Sequence, residues 1–454
     1  MEESKAYKEW IIRRERTKYV GYFLMLLYGL ESNAVLVSLM YYLAESFGMD
    51  DQTARTYFSI SETFNAVGQF FGGLLLGRYT DVTRNLRYAF LVNLFAICVG
   101  NLMYSLNFNI WLLLIGRLLC GLNEALQTSL GGEFRRCYKD KELIDVFGWY
   151  EIWFSVGINV GPGMPVFFSW VNIKLGGWKI DKYNALNVLL SLIGFIIFIL
   201  SYFFVADLSK ELDHLKKEYE NTNEMETPEK QEDVKELSPS KTEDAVDSKF
   251  SIMELVQVDI VSLVITYGVI RYATSSLLSM ISMYAMSLFH WGITFLSWMH
   301  LCSGFAVYAF IIVLIKYEIF QGVQRMYYFY VSSSIFTLVA FIVLMLPRLF
   351  NITSFPEQIT YLVIGMLIKC WIYFHAQSSG KVLLFTTVTP DKSCTIDGVR
   401  STFGATMKLL ALATGFLFFE TPQWFVLPIG IIQFLAICIV LYRHHIYFSH
   451  NTFQ

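Results

Sequence analysis

The sequence predicts an all-α membrane protein with twelve transmembrane helices in two pseudo-symmetric bundles of six. Three observations predict it. Of 454 residues, 55% are hydrophobic and only 16% are charged, whereas soluble chains carry about 25% charged residues; mean hydropathy is +0.47. Apolar runs of about 20 residues recur along the chain, each long enough to cross a hydrocarbon core. A charged stretch over residues 207–250 divides those runs six and six.

The runs fall near 19–43, 55–77, 88–106, 110–131, 146–169 and 186–206. The second set is 258–285, 293–315, 326–347, 359–385, 397–419 and 424–442. Residues 1–18 are a charged tail, so the first run reads as a signal anchor rather than a cleaved leader. Basic residues set the orientation. Lys5, Lys8, Arg13, Arg14, Arg16 and Lys18 precede the first span. Arg78, Arg84 and Arg87 follow the second, and Arg135, Arg136, Lys139 and Lys141 follow the fourth. The loops after spans one, three, seven and eleven carry essentially none. Both tails, 1–18 and 443–454, are therefore expected in the cytoplasm. The only Asn-x-Ser/Thr sequon, Asn351-Ile352-Thr353, falls in the loop after span nine, on the opposite side, where a glycan is added.

The connector over 207–250 holds Pro228 and Pro239 among many Glu and Lys residues. Such a composition cannot bury a core. Only Leu208 to Tyr219 reads as a short surface helix. On either side, 19–206 and 251–442 form the two six-helix units. A weak repeat relates them. Tyr28-Gly29 corresponds to Tyr267-Gly268, and Tyr42 with Phe47 corresponds to Tyr284 with Phe289.

Charge inside a span is costly and usually lines a cavity. Glu31 lies near the middle of span one and Arg271 near the middle of span seven, which makes them candidate partners. Glu62, Asn65 and Gln69 share one face of span two, and Tyr267, Arg271, Thr274 and Ser275 share one face of span seven. Span ten carries Lys369, Tyr373, Gln377 and Lys381 at intervals of four, with His375 beside them. Lys381 sits near the helix end and is expected to snorkel to the interface; Lys369 is too deep for that. Deep cations suit a carboxylate, phosphate or chloride.

The seven cysteines form no close pair and no zinc spacing. No metal, cofactor or nucleic-acid partner is expected. No nucleophile–base arrangement points to an enzyme.

Between spans two and three the chain reads Gly77-Arg78-Tyr79-Thr80-Asp81-Val82-Thr83-Arg84-Asn85-Leu86-Arg87. This Gly-x3-Asp-x2-Arg-x2-Arg loop resembles the signature of the major facilitator superfamily. The resemblance implies a conformational latch built from Gly77, Asp81 and Arg84 on the cytoplasmic face. Asp81 is expected to meet a nearby arginine or a helix N-terminus. In span four, Gly116-Arg117 through Gly121 is similar to the family's second motif. By that resemblance Arg117 lies close to the span-one carboxylate, which makes it a rival to Arg271 for Glu31. Gly157-x3-Gly161-Pro162-Gly163 in span five is similar to the family's antiport motif, except that Pro165 stands where a further glycine is usual. Its small residues also let helices approach closely. The second half, Lys316 to Arg325, has no copy of the loop.

A patchier likeness points to the lysosomal branch linked to neuronal ceroid lipofuscinosis. It rests on Arg117 to Gly121, Glu133 with Arg135, Gly161-Pro162, Trp178 to Asn184 and Asp397-Gly398-Val399. What the resemblance implies is a monomeric secondary transporter of a small solute by alternating access. An organic or inorganic anion is preferred, and protons are a candidate co-substrate. The expected substrate and proton groups are Glu31, Glu62, Asn65, Gln69, Arg117, Arg271 and Lys369. An anion channel on the same scaffold and a non-transporting receptor are the competing readings. The polar helix faces argue against the receptor.

Overall fold

The structure is a computed structural model that describes residues 5–226, 257–316, 323–350, 352–388, 392–417, 421 and 423–442. In the first half, α1 spans Lys5–Glu45, α2 Asp51–Thr83, α3 Leu86–Ser105, α4 Ile110–Gly121, α5 Glu124–Cys137, α6 Asp140–Val160 and α7 Ala185–Phe204. The connector opens with α8, Leu208–Glu226. The second half holds α9 Val258–Met283, α10 Ile293–Lys316, α11 Val323–Leu349, α12 Phe355–Thr387, α13 Ser393–Leu417 and α14 Gln423–Tyr442. Because α4 and α5 together form one span, the helices match the twelve expected crossings. Seven stretches, by length and hydropathy, are apolar enough to cross a membrane among the described residues. The helices α2, α12 and α13 are not among them, because they carry the polar and charged faces.

Fold and sequence differ in several local places: the first helix starts inside the charged tail, at Lys5, and the second continues through Gly77–Thr83, which the sequence reads as loop. The fourth span is broken at Leu122–Asn123. A two-stranded hairpin, Asn172–Leu175 with Trp178–Asp181, precedes α7. Its tight turn uses Gly176 at φ +62, a conformation glycine adopts without steric cost. The Trp178 indole anchors the hairpin by donating to the Ser105 carbonyl at 2.9 Å.

Local chemistry sets the helix ends. Asp50 caps α2 by accepting the N–H groups of Gln52 and Thr53, each at 3.2 Å. Hydrogen bonds from Thr53, then Gln52, hold its carboxyl below the usual carboxylate range. The repeat reappears at the far ends of α1 and α9. Phe47 N–H donates to Tyr42 O and Met49 N–H to Leu43 O; Phe289 N–H donates to Tyr284 O and Trp291 N–H to Ala285 O. Gly48 (φ 68) and His290 (φ 53) hold the same left-handed position in the two halves.

Packing divides along the same lines. In the first half α1 lies against α6, α3 against α7, and α2 against α4 and α5. In the second, α11 lies against α12, and α9 against α12 and α13. The halves meet where α2 packs on α13, α5 on α13, and α6 with its following 3-10 turn, Gly161–Val166, on α10. Most of the apolar surface of α7 is exposed, as expected for a helix that faces lipid.

Glycines permit the closest approaches. A Cβ on Gly29 would lie 2.3 Å from the Phe154 carbonyl, and one on Gly157 would lie 2.3 Å from the Leu26 carbonyl. Lipid is as apolar as a side chain, so close backbone contact, rather than hydrophobic burial, holds such helices together. Gly161 approaches Leu30 in the same way, and Pro162 opens the 3-10 turn.

Candidate functional site

At the middle of the first half, α1 supplies Glu31, α2 supplies Glu62 and α4 supplies Arg117. All three are buried. The Arg117 guanidinium donates one nitrogen to Glu31 at 2.9 Å and another to Glu62 at 2.5 Å. The two candidates for Glu31 are thereby separated: its ion pair is with Arg117. The expected Glu31–Arg271 pair does not form. Arg271 is buried against the other side of the central cleft, on α9. The planar fork of an arginine can serve two carboxylates at once, and here it ties three helices together.

A fourth charge completes the cluster. Lys408 of α13 reaches Glu62 at 3.2 Å and the Asn65 amide oxygen at 2.9 Å. Asn65 donates to the Arg117 carbonyl at 3.3 Å and accepts from Gln69 at 3.3 Å. Two carboxylates therefore balance two cations, and the polar face of α2 is occupied by protein. Lys408 escaped the sequence reading, although it lies as deep in span eleven as Glu31 does in span one. The same mid-span rule points to it.

Next to this cluster is a small cleft. Its free space is about 20 Å³, enough for a water molecule and no more. Arg271, Lys369 and Lys408 project into it from α9, α12 and α13, with Ser32, Asn33 and Thr274 between them. Lys369 is 3% exposed. Among the described residues no carboxylate lies within 4.0 Å of it, the limit for an ion pair. Lys408 is balanced by Glu62, so among the described residues the uncompensated charge facing the cleft is that of Lys369. The side chains of Tyr373, His375 and Gln377 lie outside the described residues.

Nearer the end of the molecule that carries the start of α1, here the tail face, a second buried cluster links the halves. Lys381 is fully buried and reaches Asp397 at 3.2 Å and the Gln127 carbonyl at 3.3 Å. The expectation that Lys381 snorkels is thus overturned: α13 and α5 cover it. Arg400 pairs with Asp397 at 2.7 Å and lies 4.0 Å over the Tyr267 ring. In the first half the Tyr28 hydroxyl donates to Glu124. Asp397 and Glu124 are legible only as parts of motif stretches, and Arg400 carries no such mark in the sequence.

At the tail face itself, Asp81 pairs with Arg136 of α5. Its other oxygen accepts Thr395 N–H at 2.6 Å and the Thr395 hydroxyl at 2.5 Å, in the first turn of α13. The carboxylate has found an arginine of its own half and, across the seam, a helix N-terminus of the other. Arg84 takes a different place. It ends α2 in the left-handed conformation, φ 54, donating its N–H to Thr80 O at 3.0 Å. Gly77 abuts the Cys394 carbonyl, which an added Cβ would approach to 2.9 Å. Arg136 also lies 3.6 Å from Glu133, which accepts Ser209 N–H of α8 at 2.7 Å. On the far side of the cleft, the Tyr41 hydroxyl donates to the Trp291 carbonyl at 2.7 Å. The halves therefore touch both above and below the cationic void.

The family model of the Major Facilitator Superfamily matches residues 21–405. The chain belongs to the major facilitator superfamily. Solved members and relatives of this architecture align over almost their full length. The human organic anion transporter MFSD10 (TETRAN) is 13% identical, with 94% of this chain and 99% of that chain covered at a TM-score of 0.61. A bacterial homologue of the iron transporter ferroportin, in an outward-facing state, is 11% identical, with coverage of 96% and 99% and a TM-score of 0.59. The xylose transporter XylE from E. coli, in a partially occluded inward-open conformation, is 10% identical, with coverage of 95% and 97% and a TM-score of 0.63. At such identities these likenesses establish a shared fold. A sequence search of curated proteins finds no match. As a major facilitator protein the chain is a multi-pass membrane transporter rather than an enzyme, and its working surroundings are a bilayer and a small solute.

Proposed function

We propose that the protein is a secondary transporter that moves a small anion by alternating access, with protons as the coupling ion. The single observation carrying this reading is the convergence of Arg271, Lys369 and Lys408 on one buried cleft. Among the described residues Lys369 has no carboxylate within ion-pair reach, and a buried cation is costly unless an anion joins it. A carboxylate or phosphate entering from one face would be that partner. The fold alone would serve a sugar as well as an anion; the lining charges favour the anion.

Glu31 and Glu62 are the proton acceptors in this proposal. Protonating Glu62 weakens its hold on Lys408, which then turns its full charge to the cleft. Proton and anion would thus arrive together. Gly77, Asp81 and Arg84 belong to the region that closes the tail face. Contacts between the halves on both sides of the void support a carrier over an anion channel, which needs a continuous path. The distribution of Lys and Arg supports a cytoplasmic tail face. That orientation makes Asn351, which lies outside the described residues, a lumenal glycan site. Residence in the lysosome or another endomembrane rests on the branch resemblance.

The test is uptake into proteoliposomes of labelled monocarboxylates, dicarboxylates, phosphate and hexoses, with pH gradients of both signs. Saturable anion uptake that responds to the gradient is expected. Uptake of the sugar alone, or unitary currents without trans-stimulation, would overturn the proposal.

A further inference from the structure

Away from the central cleft, a groove of about 590 Å³ opens on the outside of the first half, between α1 and α6 at the tail face. This lies within the size range of small-molecule sites. Both helices run away from the tail face, so their polar ends align. Glu15 and Lys18 from α1 and Glu142 and Asp145 from α6 line one end of the groove. Tyr19 and Phe23 from α1, with Trp149 and Trp153 from α6, line the rest. The eight steps from Glu15 to Phe23 rise by about 12 Å along a helix. The groove therefore passes from charged to aromatic over roughly the depth from a lipid headgroup to its upper acyl chain.

The charges are not evenly satisfied. Lys18 pairs with Glu15, and Arg14 reaches Glu142 at 3.4 Å. Asp145 is exposed, and among the described residues no basic side chain lies within the 4.0 Å ion-pair limit. One turn further along α6 stands Trp149, 49% exposed. A free carboxylate beside an accessible indole face suits a cation that has a low hydration cost, above all a quaternary ammonium. Arg14 and Lys18 balance two of the three carboxylates at this end, and Asp145 leaves it with a net negative charge. An anionic headgroup is therefore disfavoured. A zwitterion fits: its phosphate meets Lys18 and its ammonium meets Asp145 and Trp149.

We propose that this groove is a binding site for a choline phospholipid of the surrounding leaflet, with the headgroup at Asp145 and Lys18 and an acyl chain along Phe23 and Trp153. This goes beyond the transport reading and does not depend on the solute carried.

The test uses the full-length protein in a maltoside detergent. Native mass spectrometry reads the binding of dihexanoyl phosphatidylcholine, dihexanoyl phosphatidylglycerol and free phosphocholine. The choline lipid is expected to bind at least tenfold more tightly than the other two. Asp145→Asn and Trp149→Ala should each weaken it about tenfold, while Trp149→Phe should keep most of it. An unchanged melting temperature confirms that the exposed substitutions leave the fold intact. Equal binding of the glycerol lipid, equal binding of free phosphocholine, or wild-type retention by the folded Asp145→Asn and Trp149→Ala variants would each overturn the proposal.

Discussion

Lys408 of α13 stands 3.2 Å from Glu62 of α2, across the seam between the two halves. Through Glu62 it is tied to Arg117, and through Arg117 to Glu31. A carrier of this fold changes access by moving one half against the other. An ion pair that bridges the halves at the level of the cleft is therefore placed to feel both the solute and the motion.

Removing Lys408 tests that bridge. Breaking a buried pair by deleting one partner costs about 3–5 kcal/mol, because a charge is left uncompensated. Lys408→Met is expected to lower the melting temperature in detergent and to reduce uptake at least tenfold. Lys408→Met combined with Glu62→Gln should recover most of the stability without recovering transport. Additive losses of stability in the double variant would show that the two side chains do not interact.

Glu31 should report the proton. Glu31→Gln keeps the shape of the side chain but cannot lose a proton. Its expected signature is uptake with a flattened pH dependence at normal expression. A pH profile identical to wild type would remove Glu31 from coupling.

The cations at the cleft should set the sign of the solute. Arg271→Ala and Lys369→Ala are each expected to cut anion uptake tenfold or more at unchanged surface level. Lys369→Arg should retain part of it. Full uptake by the alanine variants, measured on matched amounts of protein, would sink the anion reading.

Asp81 bonds Thr395 of the other half across the tail face, with Arg136 of its own half beside it, which places it where a latch would act. Each hydrogen bond to a charged group is worth about 1.5–3 kcal/mol. Asp81→Asn with Thr395→Val should shift the population toward a tail-open state by about tenfold or more. Cys394, fully buried beside Gly132, gives the readout. Its modification by a hydrophilic maleimide should accelerate by a similar factor. An unchanged labelling rate would count against a latch at this position.

Gly157 tests the α1–α6 contact. A valine there must push against the Leu26 carbonyl and the Leu30 backbone. Overpacking costs about 1–3 kcal/mol, so Gly157→Val should lower the melting temperature and the yield of folded protein. A melting temperature equal to wild type would mean that the helices can separate there without loss.

The sequence by itself determined the crossings, their division into two units and the depth of Glu31, Glu62, Arg117, Arg271 and Lys369. It could do so because bilayer thickness and the cost of charge in lipid act locally, on windows of about 20 residues. The Gly-x3-Asp loop was legible for the same reason, since its residues are neighbours in the chain. Which charge meets which was decided only by the tertiary structure. Glu31 chose Arg117 over Arg271, Asp81 took Arg136 and Thr395, and Lys381 was buried on Asp397 instead of reaching water. Those pairs join residues tens to hundreds of positions apart. Their formation depends on helix rotation and on the glycine contacts that set helix spacing, and no local pattern encodes either.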